Sequence, residues 1–379
     1  MIADNARTAL VLPGGGARAA YQAGVLAAIG EQLPDDTANP FPILCGTSAG
    51  AINAATLACH ADNFRAGVAA LNDVWRNMRA HHVYRADPLG IAATGARWLS
   101  SLALGWLMHR NPHALLDNEP LRQLLTQRLD FGNIDRCIAA GCLHAVSVTA
   151  SGYTSGHSVS FFQARGEIEP WLRTHRFGSR DRLGVEHLMA STAIPFIFPA
   201  IKLHREWFGD GSMRQLAPVS PAIHLGARKI LVIGAGRMSE KVERRRGENY
   251  PTLAQIAGHA LSSIFLDGLA VDIERMERIN RTLSVIPNGL TTSAGVSLRP
   301  IETLVIAPSQ RLDDLAARHA RALPRAVRVL MRGIGAMNRS GGALTSYLLF
   351  EQPYTRALID LGYRDTLNRR DEVRAFLGI

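Results

Sequence analysis

The chain reads as an α/β fold with a mainly parallel sheet, and three observations carry that reading. A short apolar run, Thr8 to Pro13, ends in three glycines and gives way to a helical pattern through about Ile29. A second run, Pro42 to Cys45, ends in Gly46-Thr47-Ser48-Ala49-Gly50 and passes at once into an Ala-rich helical pattern to about His60. Further buried-strand patterns at Lys229–Ile233 and Thr303–Ala307 are separated by the long helical periodicity of Leu253–Leu283. Strand–helix alternation of this kind builds a parallel sheet covered by helices.

The intervening segments follow in order. Residues 64–129 form a helical, partly apolar insertion. Leu143–Thr149 and His157–Gln163 are strands joined by a Gly-Ser-rich turn, and Val185–Ser191 is a helix broken by Ile194-Pro195. Ile201–Phe208 is extended and delivers Gly209-Asp210-Gly211; Pro324 opens a helix, since proline suits a first turn. The expected division is a catalytic domain over 8–222, with the insertion inside it, followed by further strands and a helical carboxy-terminal extension over 223–379.

Net charge is +10 and almost all of it is arginine; Lys202, Lys229 and Lys241 are the only lysines. That balance favours an anionic partner such as a phospholipid surface. Lys241, Arg244, Arg245 and Arg246 cluster in a polar stretch, while Arg318, Arg321, Arg325, Arg328 and Arg332 recur at spacings that predict one helical face. No nucleic-acid motif accompanies them, and nucleic acid is not an expected partner. The four cysteines, at 45, 59, 137 and 142, have neither zinc-ligand nor redox-pair spacing. No secretory signal is visible at the start, so the expected location is cytoplasmic, with peripheral contact at the inner membrane face. Trp98–Met108 is the strongest membrane candidate. It falls short of the roughly 20 residues a spanning helix needs, so it reads as a buried, interfacial or lid helix.

Ser48 sits at the centre of G-x-S-x-G between a strand and a helix, the setting that exposes a serine hydroxyl on a tight turn. Gly46 and Gly50 permit the sharp bend, and the amide of Ala49 is an unpaired donor at the positive end of a helix. A serine needs a base to take its proton and donors to hold the oxyanion. The second source of donors is Gly14-Gly15-Gly16, where successive amides can point at one spot; Arg18 can brace that loop or meet a phosphate. Gly14-x-Gly16-x-x-Ala19 also formally matches a dinucleotide-binding loop. The acidic residue that should end the second strand is missing, and that strand runs into Ser48 instead.

The base is the discriminating residue. Among thirteen histidines none has a recommending context; His204 and His224 are the best late candidates and lack flanking turn chemistry. Asp210 has it, in Trp207-Phe208-Gly209-Asp210-Gly211-Ser212 at a strand end.

Taken together, Gly14-Gly15-Gly16-Ala17-Arg18, Gly46-Thr47-Ser48-Ala49-Gly50 and Asp210-Gly211 resemble the patatin-like phospholipases. The segment Ala190–Pro199 looks like the family's approach to its aspartate strand, and the resemblance covers roughly residues 8 to 222; Ser340–Asp365 looks like the tail of bacterial members. Two positions depart from the usual pattern, Ala19 and Ser212, where small residues replace glycine, or glycine and alanine. The resemblance implies a three-layer α/β/α sandwich with carboxy-terminal helices packed on it. It implies a Ser48–Asp210 dyad without histidine, an oxyanion hole from Gly14, Gly15, Gly16 and Ala49, and Arg18, Gly46, Gly50 and Gly211 in support. It implies a lipid or phospholipid ester as substrate, and neither metal nor organic cofactor. The alternatives are a soluble carboxylesterase or thioesterase, and a silent family member acting as a binding protein.

Overall fold

A computed structural model describes residues 8–85, 114–237, 250–286, 298–333, 335–337 and 342–379. Trp98–Met108 and the Lys241–Arg246 cluster lie outside the described residues.

Among the described residues ten strands form one sheet: β1 (Thr8–Leu12), β2 (Ile43–Thr47), β3 (Ala145–Gly152), β4 (Ser158–Ala164), β5 (Trp171–Arg173), β6 (Arg176–Arg180), β7 (Ile201–Leu203), β8 (Glu206–Asp210), β9 (Lys229–Ile233) and β10 (Glu302–Ile306). Their order is β10-β9-β1-β2-β3-β4-β6-β5, with β8 also on β3 and β7 on β8. The run β10 through β3 is parallel throughout. Side chains alternate between two buried faces: Leu10, Leu12, Leu44 and Leu231 enter one core, and Ala9, Val11, Ile43 and Ile230 the other. A parallel sheet buried on both sides makes its strands near-continuous apolar runs, as in Ala9–Leu12, and gives the α/β/α sandwich.

The carboxy-terminal helices are part of this globule. Gln352–Leu367 crosses Ala20–Gly30 so closely that a Cβ at Gly24 would strike the Ile359 carbonyl, and one at Gly362 the Tyr21 carbonyl. Leu253–Ser284 runs as one continuous helical stretch, with a π-helical turn at Ser263–Asp267. By length and composition this stretch could cross a membrane, yet Phe265, Leu269, Ile273 and Met276 are buried against the rest of the chain.

Two readings need correction. The five arginines from Arg318 to Arg332 do not share one helix. Leu312–His319 and a short 3-10 turn end at Leu323, whose extended backbone precedes Pro324, and a new helix covers Arg325–Gly333. Proline disfavours helical geometry in the residue before it, so the periodic pattern is cut there. Ile201–Phe208 is likewise no single strand but a hairpin, β7–β8, turning at His204, whose φ is +52°.

Candidate active site

The site forms where β2 ends. β4 occupies one side of β3 from Ala145 to Ser151, leaving the other side to β2. The last β2 pair is Thr47 with Thr149, and the next β3 residue, Ala150, pairs with Asp210 of β8. One strand leaves and another enters head-on along the same edge. That substitution sets Ser48, one step past β2, against Asp210, the last residue of β8.

Ser48 has φ 53° and ψ −131°, a backbone region a side chain rarely adopts, between β2 and the Ala49–Cys59 helix. Its N–H donates to Ser191 Oγ (2.8 Å), and the Ser191 hydroxyl donates to the Thr149 carbonyl (2.6 Å). Its own hydroxyl donates to Asp210 Oδ2 at 2.5 Å. Asp210 is 1% exposed, and its Oδ1 accepts from the Ser212 N–H (2.9 Å). Burial pushes the Asp210 carboxyl up to about 6; the donors from Ser48 and Ser212 oppose the rise. Ser212 Oγ is close enough to Asp210 to share in that opposition, yet among the described residues it makes no hydrogen bond of good geometry.

The glycine loop lies alongside. Among the described residues the N–H groups of Gly14, Gly15 and Gly16 take part in no hydrogen bond. Gly16 has φ +54°, and a Cβ there would collide with the Tyr347 carbonyl, so the position admits glycine alone. Side chains are equally excluded at Gly46, Gly50 and Gly211, which abut Gly50, Leu12 and Thr149.

Arg18 points away from the site. It is 3% exposed, with Nε donating to Ser346 Oγ (2.8 Å), Nη2 to Asp313 Oδ1 (2.5 Å), and its guanidinium 3.9 Å above the Tyr347 ring. Of the two roles open to it, bracing the loop is the one its contacts match. A second brace lies beneath: Asn53 Nδ2 donates to the Ala19 carbonyl and to Gln22 Oε1, Gln22 Nε2 to the Pro13 carbonyl, and Trp75 Nε1 to Asn53 Oδ1. This buried chain holds the glycine loop against the serine's helix.

Gly16, Ser48 and Ala49 open into a cavity. Its walls are mainly apolar, among them Ile52, Leu71, Val74, Trp75, Leu125 and Phe350. Among the described residues no histidine lines it, and none hydrogen-bonds Ser48 or Asp210.

Ser48, Asp210 and the glycines, singled out from the sequence, are brought together at one place in the fold. Sequence reasoning assigns Ser191 no role and does not single out Gln22, Asn53, Asp313 or Ser346, whose partners are remote in the chain.

A serine on a strained strand-to-helix turn, facing a buried carboxylate from a second strand, defines an α/β protein of the nucleophile-elbow type. Its family is specific. The pattern of the patatin-like phospholipases matches residues 10–223, and the chain belongs to that family. A curated relative, a cGAMP-activated phospholipase from Pseudomonas aeruginosa (strain BWHPSA011 / Pa011), is 29% identical over 216 residues, 57% of this chain and 55% of the relative. The chain thus spans about half the length of that relative. Among solved structures, VipD from Legionella pneumophila covers 93% of this chain and 67% of its own, with a TM-score of 0.31 and 12% identity. A likeness that loose carries no argument.

Proposed function

We propose that the protein is a serine acyl hydrolase of the lipase or phospholipase A type, working through Ser48 and Asp210. The observation that carries this is the 2.5 Å hydrogen bond from Ser48 Oγ to Asp210 Oδ2 at one end of an apolar cavity. Ser48 Oγ attacks the ester carbonyl carbon as its proton passes to Asp210. The N–H groups of Gly15, Gly16 and Ala49, with Gly14 beside them, hold the tetrahedral oxyanion. Collapse breaks the bond to the alcohol, which leaves with the proton from Asp210, and acyl-Ser48 remains. Water then gives a proton to Asp210 and attacks the acyl carbon; the fatty acid departs and Ser48 regains the proton. A base near 6 is charged at neutral pH, yet close enough in affinity to exchange a proton with a developing alcohol.

The substrate reading follows from the cavity. Its mainly apolar walls suit an acyl chain, and Arg128, Thr56 and Thr192 are its polar members besides Ser48. The net charge of +10 supports work at an anionic lipid surface, from the cytoplasmic side. Activation by cGAMP is a property of the relative and is not carried over.

The test is hydrolysis of phosphatidylglycerol and phosphatidylcholine vesicles carrying different acyl chains at the two positions, with products identified by mass. Release of free fatty acid by the wild type and none by Ser48→Ala supports the reading. Equal release by both would refute it.

A further inference from the structure

Away from the serine, Asp181, His187 and His204 converge from three elements. Asp181 follows β6, His187 lies in the Val185–Ser191 helix, and His204 sits at the turn of the β7–β8 hairpin. Asp181 Oδ2 is 3.3 Å from His187 Nε2 and 2.6 Å from His204 Nε2, and one ligand atom from each of the three residues lies within 4.8 Å of the others.

We propose that these three side chains form a binding site for a divalent transition metal ion of the zinc class. Donors about 2.0–2.1 Å from a tetrahedral ion stand roughly 3.3 Å apart. The Asp181–His187 pair already has that separation, and His204, well exposed at a hairpin turn, need move outward by less than an ångström. Two imidazoles and a carboxylate suit zinc-like ions, and the exposure of His204 leaves a fourth position to water.

The donors are also held. Asp181 Oδ1 accepts the Arg182 N–H (2.8 Å), which aims Oδ2 at the histidines. The His187 ring packs edge-on against Phe161 at 5.0 Å, with His204 at 6.4 Å from the same ring. His204 keeps its side chain in left-handed backbone, where glycine would be unstrained. One feature opposes binding: Gly184 N–H donates to His187 Nδ1 (3.2 Å), which puts the ring proton on Nε2. Metal at Nε2 releases that proton or moves it to Nδ1. Gly184 has open space beside its Cα and can turn its N–H aside.

Such an ion would tie two supports of the serine site together. The His187 helix ends at Ser191, which holds the Ser48 N–H, and the His204 hairpin ends at Asp210. Its binding does not depend on the acyl-hydrolase reading.

The experiment uses the untagged full chain, dialysed against chelator and titrated with Zn²⁺ by calorimetry and with Co²⁺ by visible absorption. The expected result is one equivalent bound, tetrahedral Co²⁺ bands and a raised Tm. His204→Ala and Asp181→Asn, both at solvent-accessible positions, should each weaken binding at least about tenfold with circular dichroism unchanged. Failure to bind either ion overturns the proposal. So does binding unaltered in both variants, which would place the ion elsewhere, for instance at the adjacent His81 and His82.

Discussion

Arg18 and Asp313, 295 residues apart, are joined by a 2.5 Å hydrogen bond that ties the glycine loop to a carboxy-terminal helix. The two ends differ in exposure: Arg18 is enclosed, while Asp313 is 29% exposed and has Arg311 at 3.9 Å. Removing Asp313 therefore strands a buried charge, and removing Arg18 does not. Asp313→Asn should cost roughly 3 kcal/mol, the low end for leaving a buried charge unpaired, and Arg18→Met should cost less. Urea unfolding of both variants measures this. In the proposed mechanism both should also lower kcat more than they raise KM, because they loosen oxyanion donors and not the acyl cavity.

In the proposed mechanism Asp210 sets the pH dependence. Its carboxyl, pushed up to about 6 by burial, must be charged to accept the serine proton, so kcat/KM should rise through pH 6 and level above it. Stability runs the other way. A carboxyl whose folded value is raised contributes stability that is full below about 4 and lost as pH rises through 6. That rise corresponds to about 3 kcal/mol at most. Asp210→Asn should thus abolish turnover while raising Tm at pH 8, and thermal unfolding at pH 5 and pH 8 should show the gain shrinking at the lower pH.

The backbone of Ser48 offers a separate test. At φ 53° and ψ −131° any side chain is strained, whereas glycine is not. Ser48→Ala and Ser48→Gly both lose the hydroxyl, so their difference isolates the backbone. Ser48→Gly should be the more stable by about 1 kcal/mol in chemical denaturation.

The cavity predicts chain-length preference. Ile52 lines it one helical turn beyond Ser48 and is only partly buried, so a larger side chain fits without rebuilding the core. Ile52→Phe should keep activity on butyrate esters and lose it on palmitate esters, read as the ratio of the two kcat/KM values.

Legibility in the sequence followed locality. The strand, turn and helix around Ser48 are contiguous, and glycines mark both the elbow and the loop, so these were readable together with Asp210-Gly211. Pro324 marks the start of a helix in the sequence, and that start is incompatible with a single arginine face running from Arg318 to Arg332. β5 and β6 were unread because each is short and half polar, at the far edge of the sheet. The braces from Asn53 and Asp313 had no local mark, and Ser191 had a local mark but no visible partner: each depends on which elements the fold brings together.

The most direct measurement is intact mass after incubation with a fluorophosphonate probe, for wild type, Ser48→Ala and Asp210→Asn, with and without lipid vesicles. An activated Ser48 predicts one adduct per chain in the wild type, none in Ser48→Ala and greatly slowed labelling in Asp210→Asn. A folded wild type left unlabelled even with vesicles, or an adduct that persists in Ser48→Ala, would contradict it.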